Sequence, residues 1–227
     1  MKIIDIIAGA RPNFIKIAPI IKSIEKRKGS SNFNIDYRLV HTGQHYDKKM
    51  SGDFFTQLGI PMPDINLNVG SGTQAQQTAA IMVSYEELLL REPSDLCLVV
   101  GDVNSTAACA ITAQKLCIPV AHVEAGIRAG DWSMPEEINR ILTDSITNYF
   151  FTTSKYANEN LKKIGVNNKN IFFVGNTMID TLIANMDNLR APKFMLGKEA
   201  HEYFILTLHR PANVDDIDKL EALINAI

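Results

Sequence analysis

The chain is poor in the features that announce simple function classes. It has three cysteines in 227 residues, Cys97, Cys109 and Cys117. They lie on apolar runs with no metal-ligand spacing, which excludes a disulfide framework and a cysteine zinc site. Thiols used as small hydrophobes suit a reducing, cytoplasmic compartment. No apolar run is long enough to span a bilayer, so no membrane partner is expected. The opening MKIIDIIAGARP carries Asp5 and Arg11, with Lys16 just after it, too early for a signal peptide. A net charge of −2 gives no basic surface for nucleic acid. There is no internal repeat, no low-complexity tract, no GxGxxG and no P-loop spacing.

What is present is alternation. Short β-branched runs at Lys2–Ala8, Asn34–His41, Asp95–Val100, Pro119–Glu124, Asn148–Thr152, Asn170–Val174 and Tyr203–Leu208 read as strands. Helical patterns fall between them, at Pro12–Arg27, Lys48–Leu58, Gln74–Arg91, Ser105–Leu116, Glu136–Thr147, Lys155–Ile164 and Met178–Asn188. Such alternation predicts an α/β fold, a Rossmann-like, doubly wound parallel sheet covered on both faces. Pro12 suits a first helical turn and Ser154 an N-cap. The stretch Asn188–Glu202 is broken by Pro192 and Gly197 and reads as a linker. We place an N-terminal domain at 1–175, then a hinge and the first βα unit of a second domain at 176–227. The last helix pattern runs to Ile227 without a cap, a glycine or a basic last turn. The chain is therefore expected to be a fragment that stops inside its second domain, and to be inactive by itself.

In an open α/β sheet, ligands bind at the carboxyl ends of the strands. Five segments fall there. In VAHVEAGIRAGDWSMPEEINR, an apolar strand ends in Glu124, a glycine-bearing loop follows, and Glu136 and Glu137 open a helix. A strand-end acid costs stability unless partnered, which favours function for Glu124. Glu137 can serve the helix dipole, and Glu136 with Arg140 can form an exposed i,i+4 pair. In VVGDVNST, Asp102 follows a buried strand; it or Asn104 can cap the next helix, or Asp102 can join Glu124 as a second acid on one rim. In GARPNFIK, a glycine turn offers backbone N–H groups to a phosphate, with Arg11 and Lys16 as cations. In HTGQH, His41 and His45 are four apart, but Gly43 between them argues for a turn. A polar loop of Gln44 and His45 shaping a pocket competes there with a metal pair. In TLHRPANVDD, His209 and Arg210 end the strand of the second domain, suited to an anionic leaving group, and Asn213 and Asp215 can begin its helix.

Taken together, GARPNFIK, HTGQH, GDVNSTAA, HVEAGIRAGD, PEEINR, VGNTMID and TLHRPAN resemble the non-hydrolysing UDP-N-acetylglucosamine 2-epimerase family, in that family's order along the chain. Glu124-Ala125-Gly126 stands where hydrolysing relatives carry a different glycine-rich triplet. The resemblance implies the GT-B arrangement, two Rossmann-like domains with a UDP-sugar between them, and needs no cofactor and no metal. It implies elimination of UDP to a 2-acetamidoglucal and re-addition with inversion at C2. It assigns Asp102, Glu124, Glu136 and His209 to catalysis. It assigns Arg11, Lys16, Gln44, His45, Arg140, Arg210 and Asn213 to substrate binding, with a homodimer as the expected assembly. Two departures stand out. Asn68–Thr78 lacks the arginine through which many members hold an activating second substrate, and HRPAN replaces HRREN, losing a glutamate. A GT-B glycosyltransferase using a UDP-sugar, and a non-catalytic binding module, are the competing functions.

Overall fold

The computed structural model describes residues 1–30, 33–43, 55–190, 192, 204–208 and 214–227. They fall into two compact units, Met1–Asp187 and Asn188–Ile227. The first holds a seven-stranded sheet in the order β3-β2-β1-β4-β5-β6-β7, every pair parallel. The strands are β1 (Lys2–Ala8), β2 (Ile35–His41), β3 (Ile65–Asn66), β4 (Leu96–Val100), β5 (Val120–Val123), β6 (Tyr149–Thr152) and β7 (Ile171–Phe173). The helices are α1 (Arg11–Arg27), α2 (Gln74–Arg91), α3 (Asn104–Lys115), α4 (Pro135–Ser145), α5 (Lys155–Lys163) and α6 (Thr177–Ala184).

Side chains on a strand alternate between faces, so each strand feeds two cores. Ile6 and Ala8 of β1, Leu98 and Val100 of β4, and Ala121 and Val123 of β5 pack with Phe14, Ile17 and Ile21 of α1. Ile7, Cys97, Val99 and Val120 pack on the other face, with Ile81, Tyr85 and Leu88 of α2 and Ala108, Cys109 and Ala113 of α3. The small residues of α3 let that helix lie close to the sheet. Strand order reverses between β1 and β4, the switch point where such sheets open a crevice.

Several readings need correction. The short β3 carries too few residues to show a period and went unrecognised. Cys97 and Cys109 are buried hydrophobes, the Cys97 thiol being pushed up to about 12 by burial, but Cys117 is exposed. It sits at φ 60° in the tight turn before β5 and is not a core residue. The run 204–208 forms no strand: Phe204 is 99% exposed, and none of the described residues supplies the neighbouring ladder a strand requires. Only 55–58 of the expected helix Lys48–Leu58 is described, and it is helical. In the second unit, the helix α7 (Ile217–Asn225) is capped by Asp216, whose carboxylate accepts from the N–H groups of Asp218 and Lys219, rather than by Asp215.

The first compact unit also runs past the boundary placed at 175. One contact that holds its last helix in place turns on a proline. Pro19 lies inside α1 and has no N–H to give to the carbonyl four residues back, that of Ile15. The Thr181 hydroxyl of α6 donates to that carbonyl at 2.6 Å. The helix after β7 is thus fastened to α1 by the group that Pro19 leaves unpaired. Thr181→Val, nearly isosteric, should lower the unfolding free energy by about 1 kcal/mol. In a Pro19→Ala background, where the helix supplies its own N–H, the same change should cost measurably less. Equal costs in both backgrounds, measured by denaturant unfolding, would contradict this account.

Candidate functional site

The carboxyl ends of β1, β4 and β5 meet at the switch point. The turn after β1 is closed from within. The Asn13 side-chain oxygen accepts from the N–H groups of Gly9, at 3.2 Å, and Ala10, at 2.8 Å. Its amide donates to the carbonyl of Val100 at 3.0 Å. The backbone donors at Gly9 and Ala10, expected to face a phosphate, are therefore already used. Gly9 serves close packing instead: a Cβ there would lie 2.0 Å from the Ser105 hydroxyl oxygen, which itself hydrogen-bonds the Thr42 hydroxyl at 2.9 Å. What this turn offers a ligand is side chains. Arg11 is exposed on the first turn of α1. Lys16, one turn on, reaches across to place Nζ 2.5 Å from Oε2 of Glu124.

Glu124 adopts a left-handed backbone conformation, φ 70°, rare for a residue with a side chain and costing on the order of 1 kcal/mol or more. The conformation is held from outside. The N–H groups of Glu124 and Ala125 both donate to the carbonyl of Phe151, at 3.0 and 3.2 Å. Gly126 follows at φ 79°, pressed so closely on α5 that a Cβ would sit 2.4 Å from the carbonyl of Ala157. The Asn160 amide donates to the carbonyl of Gly126 at 2.9 Å. The bend turns Glu124 out of the sheet and onto Lys16. On β4, Gly101 stands at φ 70°, and a Cβ there would lie 3.0 Å from Nζ of Lys16. Glycine is needed here both for conformation and for the lysine's path.

Asp102 is no helix cap. The N-cap of α3 is Val103, without a side-chain bond. Instead, Oδ2 of Asp102 lies 2.5 Å from Nη2 of Arg140. Nor does Asn104 cap; its amide donates to the side-chain oxygens of Gln74 and Gln77 on α2, at 2.7 and 2.8 Å. Asn139 joins the same wall by donating to the carbonyl of Asp102 at 2.9 Å. The pairing expected between Glu136 and Arg140 is not formed. Arg140 pairs one residue closer, with Glu137 at 3.0 Å, because the buried side of α4 turns Glu137 inward and leaves Glu136 exposed at the helix start. Among the described residues the Glu136 side chain has no hydrogen bond or ion pair.

Glu137 is the residue whose role the sequence concealed most. It is 1% exposed. Its two oxygens accept from the N–H groups of Ala129 and Gly130, each at 3.0 Å, and one also takes Arg140. Burial pushes its carboxyl up, but the two backbone donors and then Arg140 outweigh it and hold the group below its usual range. A carboxylate three residues before an arginine, behind a glycine loop, was the available signal. Glu137 thus ties the 129–130 loop to α4 and sets Arg140 against Asp102.

His41 is buried, stacks on Phe14 with ring centroids 5.4 Å apart, and its Nδ1 accepts from the N–H of Gly43 at 2.9 Å. Among the described residues no group of three or more His, Cys, Asp or Glu is placed to hold a metal, and no helix is long and apolar enough to cross a membrane. The structure pairs Lys16 with Glu124 and Arg140 with Asp102 on this rim, while Arg11 and Glu136 are exposed at the starts of α1 and α4. Gln44, His45, His209, Arg210 and Asn213 lie outside the described residues.

Glu137 yields a test with a sign. Because its folded carboxyl is held low, its stabilisation is present above the usual carboxylate range and is lost as pH falls through the folded value. Glu137→Gln should cost about 2 kcal/mol at pH 7. The gap between variant and parent should shrink as pH falls below about 4, the ordinary carboxylate value. A gap that stayed constant down to acid unfolding would show that the charge plays no part.

The chain can now be set beside known proteins. Residues 27–227 match the sequence profile of the family described as UDP-N-acetylglucosamine 2-epimerase. The UDP-N-acetylglucosamine 2-epimerase of Methanocaldococcus jannaschii is 44% identical over 230 residues, covering 99% of this chain and 61% of that protein. A UDP-2,3-diacetamido-2,3-dideoxy-D-glucuronate 2-epimerase of Pseudomonas aeruginosa is 42% identical over 230 residues, covering 100% of this chain and 62% of that protein. Among solved structures, that of the M. jannaschii UDP-GlcNAc 2-epimerase in complex with UDP-GlcNAc and UDP is similar at a TM-score of 0.85 and 42% identity, over 99% of this chain and 61% of that one. The chain thus spans 61–62% of the length of these curated relatives.

Proposed function

The chain belongs to the UDP-N-acetylglucosamine 2-epimerase family, and from that premise we propose that the protein of which it is part interconverts UDP-N-acetylglucosamine and UDP-N-acetylmannosamine. The observation that carries the reading is the pair of acids on adjacent strand ends, Asp102 and Glu124, each set against its own cation. C2 of the sugar bears no carbonyl, so its hydrogen is not acidic. Its removal has to be coupled to loss of the group on C1. A carboxylate takes the C2 proton, the C1–O bond breaks with its electrons leaving on UDP, and a C1–C2 double bond remains. Re-addition of UDP to C1, with a proton delivered to the opposite face of C2, gives the epimer. The chemistry requires acid/base groups on two faces and cations at the diphosphate, and no cofactor or metal.

In this reading Asp102, Glu124 and Glu136 are the acid/base groups. Arg11 and Lys16 receive the diphosphate. A diphosphate arriving at the turn after β1 competes with Glu124 for the ammonium of Lys16, which releases a carboxylate oxygen toward C2. Arg140 orients Asp102, an addition to the substrate contact expected of it. The family resemblance gives His209, Arg210 and Asn213 roles toward the departing UDP, and Gln44 and His45 roles in binding the substrate. The whole protein functions as a cytoplasmic homodimer.

A second sugar nucleotide is favoured by the P. aeruginosa relative, whose named substrate shares the 2-acetamido group and differs at C3 and C6, away from the reacting carbon. The test is to give the whole protein each sugar nucleotide alone, without acceptor, nicotinamide or metal. We expect the 2-epimer of UDP-N-acetylglucosamine to accumulate to equilibrium. Glu124→Gln should lower kcat by about two orders of magnitude or more, while its amide oxygen still meets Lys16 and the protein stays folded. Turnover of the diacetamido-glucuronate alone would move the assignment to that substrate. A need for an acceptor would replace it with a glycosyltransferase.

A further inference from the structure

Beneath the two acids lies a buried pair to which the reaction above gives no role. His122 of β5 is fully buried, and Asp144 of α4 is 2% exposed. Nδ1 of His122 lies 2.7 Å from Oδ1 of Asp144, and Nε2 lies 2.8 Å from the carbonyl of Gly101. The other oxygen of Asp144 accepts from the N–H of Gly126 at 3.0 Å and from Nη1 of Arg128 at 2.7 Å. Each of these contacts lands one residue from a reacting group or within its turn. Gly101 precedes Asp102, and Gly126 closes the turn that begins at Glu124.

We propose that His122 and Asp144 form a positioning pair that fixes the two rim carboxylates relative to each other. The proposal rests on the epimerase reading. The imidazole holds the plane of the Gly101–Asp102 peptide, Asp144 holds the 124–126 turn, and the bond between them joins the two. Beyond the strand ladder, the backbone links these strand ends through the N–H of Gly101 and the carbonyl of Val123 at 3.0 Å. At that bond each strand bends, at Gly101 after β4 and at Glu124 after β5, both in left-handed conformations that strand pairing does not fix. The side-chain pair supplies the missing restraint above it. A carbonyl can only accept, so Nε2 donates to Gly101, while Nδ1 meets Oδ1 of Asp144, whose partner oxygen takes Gly126 and Arg128. Burial pushes the Asp144 carboxyl up, but His122 and then Arg128 hold it below its usual range.

The test uses the whole protein and separates positioning from simple stability. His122→Asn, whose amide nitrogen matches only the position of Nδ1, should lower kcat about 10- to 100-fold, the scale of a small misplacement of reacting groups. KM should change less than about threefold. His122→Gln, whose amide nitrogen stands near Nε2 and can still donate to Gly101, should recover part of the loss. His122→Asn combined with Asp144→Asn should be no worse than the poorer single variant, since the two act as one link. A folded His122→Asn protein with kcat within about twofold of the parent would overturn the proposal, as would losses that simply multiply in the double variant. A readout independent of turnover covers variants that fail to fold. Nitrogen-15 NMR of the unaltered protein should show Nε2 of the His122 ring carrying the hydrogen it gives to the Gly101 carbonyl, and an Nε2 without a hydrogen would also overturn it. If the parent protein epimerised neither sugar nucleotide, the proposed function would fall, and the ring spectrum would still decide for or against the pair.

Discussion

The site depends on one constraint, the parallel pairing of β4 with β5. Cys97 pairs with Val120 and Val100 with Val123, so the two strands end level with one another. Because they run parallel, both deliver their next residues to the same edge, and Asp102 and Glu124 arrive there together. An antiparallel neighbour would have sent one acid to the far side of the sheet. Register matters equally, since a slip of one residue turns every side chain to the other face. Buried residues on both sides of the sheet specify that register.

Closeness of two acids brings repulsion and strain, and the surrounding residues answer both. Each acid has a cation from a different helix, Lys16 from α1 and Arg140 from α4. The left-handed backbone of Glu124 is fastened by the carbonyl of Phe151 and by the close seat of Gly126 on α5. Strained positions persist where neighbours over-determine them, and they concentrate at functional sites. The helices here do more than cover the sheet. α1 brings Lys16 and, through Asn13, closes the turn after β1 onto the end of β4. α4 brings Arg140, Glu137 and Asp144.

Much of this was legible in the sequence because it is written in local patterns. Six of the seven strands and the major helices follow from alternation and punctuation, and Ser154 caps α5 as its position suggests. The strand-end acids stood out because a carboxylate after an apolar run needs a reason. The partnerships were not legible, since they join residues far apart in the chain. Nothing near Asp102 says that Arg140 will meet it, so a capping role remained open until the structure closed it. Glu137 resembled an ordinary helix-start acid, and nothing local sets His122 apart within its apolar run. Thr181 carries no signal until Pro19 is seen to leave the carbonyl of Ile15 without a donor. The strand expected at 203–208 had the right residues, but composition cannot supply the neighbour that makes a strand.

The central claim is that the acids on this edge take a proton from C2 of a UDP-sugar and return it to the other face. The direct measurement is to let the whole protein act on UDP-N-acetylglucosamine in D2O, without nicotinamide, and to recover both sugars for NMR and mass spectrometry. The account predicts deuterium at C2, because the hydrogen leaves as a proton onto a carboxylate at an open rim and exchanges with solvent before return. Recovered sugar in which C2 keeps its original hydrogen after many turnovers would contradict it.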